Sequence, residues 1–454
     1  MHDYIWKRKL RTPVMILAMI SLFNIIAGCT ESSESDDERV QLKVLSLSEK
    51  GFYSTYGVPF MSRFPNVDIE VVTLPLFLEE SPQQRKDKQI QFIESEQPDI
   101  LLLSEQQFKD VSSENLLMEL DTLLNQDKDK QFLSGMVPTV TDYIRSIGSG
   151  RLYGLSNRFY SQALYYNKDL FDRANIPYPR DGMNWEEVLQ LAQLFNREGT
   201  ESYGLMLTQA SSPFQLAIQI GLSKSMRYVD GKGEKITISG EHWRHIFEMA
   251  VQSFQSKSIY ESSDADQPQP GMTYNDILHL DPFLSGKTAM VISGSFLAEQ
   301  IKDVQLLDHE KKLNWDMATI PSDGRTIDFS SFIWLEDVVT INSKAPNVKA
   351  AWEFVKYVNG DEYARISSAA RLNNGGLTSR TSYLKDTEGH NYAAFYDLSI
   401  TSGGPGWIER LPQGFHSAFN EAGERELTKV YEGQISIEQA LQNLEDEGLQ
   451  MLRK

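Results

Sequence analysis

Residues 153–195 read YGLSNRFYSQALYYNKDLFDRANIPYPRDGMNWEEVLQLAQLF. Residues 152–157 and 161–166 are aromatic-rich runs that suit strands entering a half-buried sheet. Asn167 and Asp169 close the second run with turn chemistry. A short helix opens at Leu170-Phe171, and Pro177 and Pro179 end it. Asp181-Gly182 is a turn. Asn184 stands three residues before Glu187, a capping-box spacing, and Trp185, Val188, Leu189, Ala192 and Phe195 share one helical face. Trp185 on that face reads as core.

Upstream, Val40, Leu42, Val44 and Leu47 give a first strand and residues 52–64 a helix. Val67, Ile69 and Val71 alternate as a second strand. Residues 82–96 are helix-permissive. Pro98-Asp99 then introduces Ile100-Leu101-Leu102-Leu103, a continuous apolar run suited to a parallel strand covered on both faces. This strand–helix–strand–helix–strand order predicts a parallel sheet flanked by helices. A Gly-rich break at 147–150 is a candidate for the first passage between two domains, which a chain of 454 residues is long enough to need.

Downstream, 203–207 reads as a strand, 212–221 and 241–254 as helices, 230–233 as a turn and 267–271 as a loop. Val348, Ala351, Trp352, Val355 and Val358 make an apolar helical stripe, with Trp352 in the core. A last helix opens at Ser436 with Gln439 as capping partner.

Several of these segments carry a resemblance. Tyr153-Gly154-Leu155, residues 163–171 (ALYYNKDLF), Ile176-Pro177-Tyr178-Pro179 and Asn184-Trp185-Glu186-Glu187 together resemble the central signature of family 1 extracellular solute-binding proteins. These are the sugar- and oligosaccharide-receiving subunits of ABC importers, with a maltose-binding-protein-like fold. Pro98-Asp99-Ile100 and residues 117–121 resemble the family's first lobe. Residues 283–296 end in Ser293-Gly294-Ser295-Phe296, where the family usually has Ser-Gly-Ser-Trp and the ring often stacks on the ligand. Here Phe296 keeps the π-face and lacks the indole donor. Residues 315–318 with Ile320-Pro321 match the next strand. Residues 332–342 resemble the return crossing, without the Gly-Gly pair common near Ser331-Phe332. Residues 373–383, with Thr378-Ser379-Arg380 in place of Pro-Ser-Arg, resemble the last crossing.

The resemblance implies an α/β, two-lobed periplasmic-binding-protein-like fold of type II. Each lobe would be a mostly parallel sheet flanked by helices, joined by a multi-strand hinge. The N-terminal lobe would hold 40–148 plus 334–373, and the C-terminal lobe 149–333 plus 374–454.

Charge narrows the function classes. The chain has 44 Lys and Arg against 63 Asp and Glu, a net −19. Such acidity disfavours nucleic acid, which needs basic surface to neutralise phosphate, and a peripheral grip on anionic lipid. Seven histidines show no metal spacing: His242 and His245 lie three apart with no third ligand. No phosphate-binding Gly loop occurs, and no acid stands in a recognisable hydrolase motif. Tyr165-Tyr166 resembles the adjacent tyrosines of ferric-ion-binding relatives but belongs to the sugar-type motif. The expectation is therefore a binding protein, not an enzyme, with no cofactor.

The N-terminus has a basic region at 7–11 and an apolar stretch at 14–26, short for a bilayer span. Ile26-Ala27-Gly28-Cys29 follows and resembles a lipobox. It implies that 1–28 is a lipoprotein signal peptide and that Cys29, the only cysteine, is lipidated. A plain secretory signal and an uncleaved anchor are the alternatives. Residues 29–39 contain the acidic run TESSESDDER and read as a disordered tether. The expected location is the extracellular face of the cell membrane.

A sugar cleft needs aromatic faces for the apolar CH face of a pyranose and planar polar groups for its hydroxyls. The positions that the resemblance implies for ligand binding are Glu49, Tyr53, Glu105, Arg158, Tyr160, Gln162, Phe214, Phe296, Trp334 and Trp407. Each has a blander reading: a buried helix face for Tyr53, solvated loop acids for Glu49 and Glu105, core for Trp334. The expected partners are a sugar or oligosaccharide and the transmembrane subunits of an ABC permease, with the chain itself a monomer. A receptor for a polyamine or peptide, an extracellular glycan-acting enzyme and a sensory partner are the alternatives.

Overall fold

A strand that is apolar on every residue must be covered on both faces. The computed structural model satisfies this at the centre of its first sheet, where Ile100–Leu103 is buried throughout. The structure describes residues 39–453 except 78–79, 197–201, 209, 264–265, 309–311, 325, 329–332, 371, 373–374, 385, 387 and 402–410. Cys29, the expected signal peptide and Trp407 lie outside the described residues.

The described strands are β1 (Val40–Ser46), β2 (Val67–Thr73), β3 (Ile100–Leu103), β4 (Gly154–Leu155), β5 (Arg158–Asn167), β6 (Tyr203–Leu207), β7 (Thr288–Gly294), β8 (Trp315–Ala318), β9 (Thr326–Asp328), β10 (Ile333–Leu335), β11 (Val338–Ile341), β12 (Leu377–Thr378) and β13 (Ser399–Thr401). The first sheet has the order β2-β1-β3-β11-β4. The second runs β10-β5-β7-β6, with β8 and β12 also paired to β5, and β13 pairs with β9 alone.

The parallel pairing expected from the sequence is present in β1–β2, β1–β3 and β6–β7. By contrast β5 runs antiparallel to β7, β8, β10 and β12. The reason is connectivity: β5 enters straight from the first sheet instead of arriving through a helical crossover.

Local chemistry sets the helix ends. Ser81 and Gln84 form a capping box for Pro82–Glu96, and Gln97 at φ 47° ends it. Asn184 and Glu187 do the same for Trp185–Gln193, as their spacing predicts. The first helical segment opens at Glu49, three residues before the expected start, because Ser48 caps it by accepting from the Gly51 amide. It continues through a π-turn, Tyr53–Gly57, into Val58–Arg63.

The two sheets exchange the chain three times. Only Ser156 and Asn157 separate β4 from β5, and only Glu336 and Asp337 separate β10 from β11. The third passage falls between two described residues, Leu372, whose amide donates to Ser367 of the helix Asp361–Ala369, and Gly375, which accepts from Ser295 of the second lobe. The first exchange lies beyond the Gly-rich 147–150. That stretch instead forms the C-terminal turn of Pro138–Ile147, with Ser149 and Gly150 at positive φ. Trp334 likewise sits in the second sheet, because β10 pairs with β5. Trp185 and Trp352 are buried, and their indole N–H groups donate to Ser223 (2.9 Å) and Asp127 (2.7 Å).

Candidate functional site

Strand register decides which residues can face the gap between the sheets. Val338 lies beside Leu103 and Val339 beside Leu155. The ends of β3 and β4 and the start of β11 therefore share one edge, with the ends of the parallel β1 and β2. That edge carries Leu47, Glu49, Leu76, Glu105, Asn157 and Asp337. In the second sheet, Tyr160 lies beside Trp334, Gln162 beside Gly294 and Ile292 beside Leu207. Its matching edge holds the start of β5 and the ends of β6, β7 and β10. The link from Leu155 to Arg158 can span at most about 11 Å, so the two edges lie close to each other where the chain passes between the sheets.

On the first-lobe edge, Glu49 is exposed in the first turn of its helix. Tyr53 is half-buried and its hydroxyl donates to the Ile69 carbonyl (2.9 Å), so it faces β2 and not the cleft. The π-turn brings Tyr56 to the hinge instead. Its hydroxyl donates to Asp337 (2.9 Å) and lies 3.3 Å from Asn157 Oδ1. An inserted helical residue shifts every later side chain, so the sequence spacing of a regular helix could not show this. Glu105 accepts from the Tyr143 hydroxyl and pairs with Lys109 (2.8 Å). Burial, then the Glu105 charge, holds the Tyr143 phenol far above its usual range. Leu47 (44% exposed) and Leu76 (56%) also stand on this edge. The signal for them was an apolar residue one to three positions past a strand end.

The second-lobe edge presents rings. Phe296 is 42% exposed and begins the helix Phe296–Leu307. A Cβ on Gly294 would lie 2.4 Å from its ring, and one on Gly375, at φ 77°, would lie 2.6 Å from its own Cβ. Ser295 fixes the turn: its amide donates to Ser161 (2.8 Å) and its hydroxyl to Gly375 (2.6 Å). Both glycines are thus needed for close approach. Trp334, 40% exposed, stacks on the half-buried Tyr160 with centroids 5.1 Å apart and planes 5° from parallel. The Tyr160 hydroxyl donates to Glu336 (2.8 Å), and burial together with that bond pushes its phenol up to about 12.

Two expected contacts are buried. Phe214 is fully buried between Phe247 and Phe419, because its helix turns that face to the core and not to the cleft. Gln162 is buried in a narrow crevice with Leu207, Thr208, Gln219 and Ile292.

Arg158 is buried beside the crossings. Its guanidinium meets Glu336 at 2.7 Å and Asp337 at 3.8 Å, and donates to the Leu372 carbonyl at 3.1 Å. Burial raises the Asp337 carboxyl above the ordinary range, against the pull of Tyr56 and Arg158. A separate concavity of about 700 Å³ lies between Arg63, Asp127, Lys356, Glu362 and Arg380. None of its lining residues belongs to the two facing edges, and Arg63 and Lys356 are already paired with Glu362 (3.4 Å) and Asp127 (3.0 Å). Among the described residues there is no group of three or more His, Cys, Asp or Glu that could hold a metal, and no helix long and apolar enough to cross a membrane.

Comparison with known proteins bears on the fold and the family. The family model described as bacterial extracellular solute-binding protein matches residues 48–365. A binding protein of Brucella abortus (strain 2308) is 24% identical over 265 residues, which are 57% of this chain and 58% of that one. The chain thus matches little more than half the length of this curated relative. YcjN of Escherichia coli K12, named as an ABC transporter periplasmic-binding protein, is 21% identical over 389 residues, covering 84% and 83% of the two chains. The solved sugar-binding protein MalE of Xanthomonas citri shares the two-lobed fold at a TM-score of 0.61 and 16% identity, covering 91% of this chain and 98% of that one.

Proposed function

The chain belongs to the bacterial extracellular solute-binding proteins, and from that premise we propose that it receives a sugar or oligosaccharide between its lobes and delivers it to an ABC permease. One observation carries the reading. Phe296 and the Trp334–Tyr160 stack stand exposed or half-exposed at the second-lobe edge, and the carboxylates Glu49 and Glu105 stand at the first-lobe edge. Rings take the apolar face of a pyranose, and carboxylates accept from its hydroxyls. Trp407, in the Gly-rich sequence 402–407, is a further candidate ring. A ligand that touches both edges only when they approach favours the closed form, and that difference in affinity drives closure. The names of YcjN and MalE are in keeping with transport and with sugar.

The protein acts as a monomer, held to the outer face of the membrane by lipid on Cys29. Cys29→Ser should abolish incorporation of labelled fatty acid into the protein; labelling that persists in the variant, or is absent from the parent, would rule out the lipid anchor at Cys29.

The test of the ligand class is a thermal-shift screen across mono- and oligosaccharides, with spermidine as a separate arm. A ligand at a hundred times its Kd adds about 2.7 kcal/mol. Silence from every sugar with a response to spermidine would favour the second reading, a polyamine receptor. That reading draws on the exposed faces of Trp334 and Phe296, which can also take a cation, and on the exposed acid Glu49 of the first-lobe edge. Recovery of shortened oligosaccharide after incubation would defeat both.

A further inference from the structure

Arg158 touches all three links between the lobes. It is itself the first residue past the first link, Ser156-Asn157. Its guanidinium meets Glu336 (2.7 Å) and Asp337 (3.8 Å), which are the whole of the second link. It also donates to the carbonyl of Leu372, where the third link leaves the helix Asp361–Ala369 (3.1 Å). Tyr56 reaches the same place from the first lobe, through Asp337. Tyr160 reaches it from the cleft wall of the second lobe, through Glu336.

We infer that Arg158 is a positioning residue, the pin that makes three separate links bend as one hinge, and that Glu336 connects that pin to the ligand-facing Trp334–Tyr160 stack. The second half rests on the solute-binding reading above; the first half does not. Links that bend independently would each flex through their own backbone torsions and permit twist and shear as well as closure. A planar fork held by carboxylates from one link and a carbonyl from another removes those extra motions, because its donors are fixed relative to each other. The side chain is only 6% exposed, and its Nε has no hydrogen-bond partner among the described residues. That geometry suits a group placed for several links at once better than one optimised for a single ion pair. A ligand pressing on Trp334 moves Tyr160 with it, since their planes are nearly parallel. The Tyr160 hydroxyl then shifts Glu336, one of the two hinge residues in the second link.

The test reads lobe separation without any ligand. Spin labels go on Val58→Cys and Leu306→Cys, exposed positions on opposite lobes, in full-length protein carrying Cys29→Ser. The parent should give one narrow distance distribution. Arg158→Met should broaden it by roughly twofold, and Arg158→Lys, with one ammonium for three partners, should fall between. Melting is followed in parallel. A lower Tm with an unchanged distribution would reduce Arg158 to an ordinary structural pair and overturn the pin. If Arg158→Met does not fold, Arg158→Lys decides alone: a parental width sinks the proposal and a broader one supports it. Tyr160→Phe keeps the stack and deletes the link to Glu336. It should leave melting within error and broaden the ligand-free distribution slightly. No change there removes Glu336 as the connector and leaves the pin standing. Because no sugar is added, failure of the pin is distinct from failure of the sugar reading.

Discussion

The two sheet edges beside the crossings are made of opposite materials, although both lobes are rich in aromatic residues. In the first lobe Phe52, Tyr56, Phe60, Phe354, Tyr357 and Tyr363 pack on one another beneath the sheet. What stands on the edge there is aliphatic or acidic: Leu47, Leu76, Glu49 and Glu105. In the second lobe the core has its own ring cluster, Tyr165 with Phe283, Trp315 and Phe395, and yet Phe296, Trp334 and Tyr160 remain on the edge. The difference teaches that the number of rings in a lobe says little about its ligand surface. What counts is where a ring stands relative to a strand end.

The sharpest way to break that comparison is to truncate a ring from each class within the same lobe. Phe214→Ala opens a cavity between Phe247 and Phe419 and should cost about 3–5 kcal/mol in unfolding free energy, measured by denaturant titration. Phe296→Ala, on a half-exposed ring, should cost less than about 1 kcal/mol of stability and instead weaken ligand binding. Reversed results would show that the edge has been assigned wrongly.

Much of this contrast was legible in the sequence and part was not. The apolar run at Ile100–Leu103, the Asn184–Glu187 cap and the Ser-Gly-Ser-aromatic turn all show their structure in a few adjacent residues. Phe214 and Arg158 were misleading for the same reason: residue type suggests a ligand contact, while burial is set by partners two hundred residues away, Phe419 and Leu372 among them. Tyr56 was hidden by the π-turn. Glu336 and Asp337 carried no motif and acquired their role only from lying between two strands in different sheets.

The next effect concerns the stacked pair. Trp334→Ala removes the outer ring of the stack and should weaken binding of whichever sugar responds in the thermal-shift screen by roughly 10- to 100-fold, since exposed aromatic anchors dominate such contacts. Trp334→Phe should recover part of it. Calorimetric titration decides; equal affinities for all three proteins would shift the ligand surface away from this edge.

A smaller effect contrasts two carboxylates, one on the outer face of the first lobe and one at the hinge. Although burial opposes it, the Asp127 carboxyl is held at about 2 against an ordinary 3.8, by the Asp129 amide, the Trp352 indole and Lys356. A carboxyl lowered on folding stabilises the protein above its ordinary value. That contribution fades as pH falls from about 4 to about 2. Asp127→Asn should therefore cost about 1–2 kcal/mol at pH 7, after allowance for solvent screening, and flatten the acid limb of the stability curve.

Asp337 should do the reverse, and more weakly. Burial raises its carboxyl, with Glu336 adding to the rise, while Tyr56 and Arg158 recover only part. A carboxyl raised on folding favours the folded state while protonated. Its contribution is full below the ordinary value of 3.8 and is lost as pH climbs through the raised one. In Asp337→Asn the Tyr56 hydroxyl still has an oxygen to donate to and the buried charge is gone. Stability at pH 7 should stay within about 0.5 kcal/mol of the parent or rise, and the decline above pH 4 should shrink. A large loss at pH 7 that vanishes at pH 4 would mean instead that the ionised carboxylate is what holds Arg158, and that the hinge depends on the charge more than on the hydrogen bond.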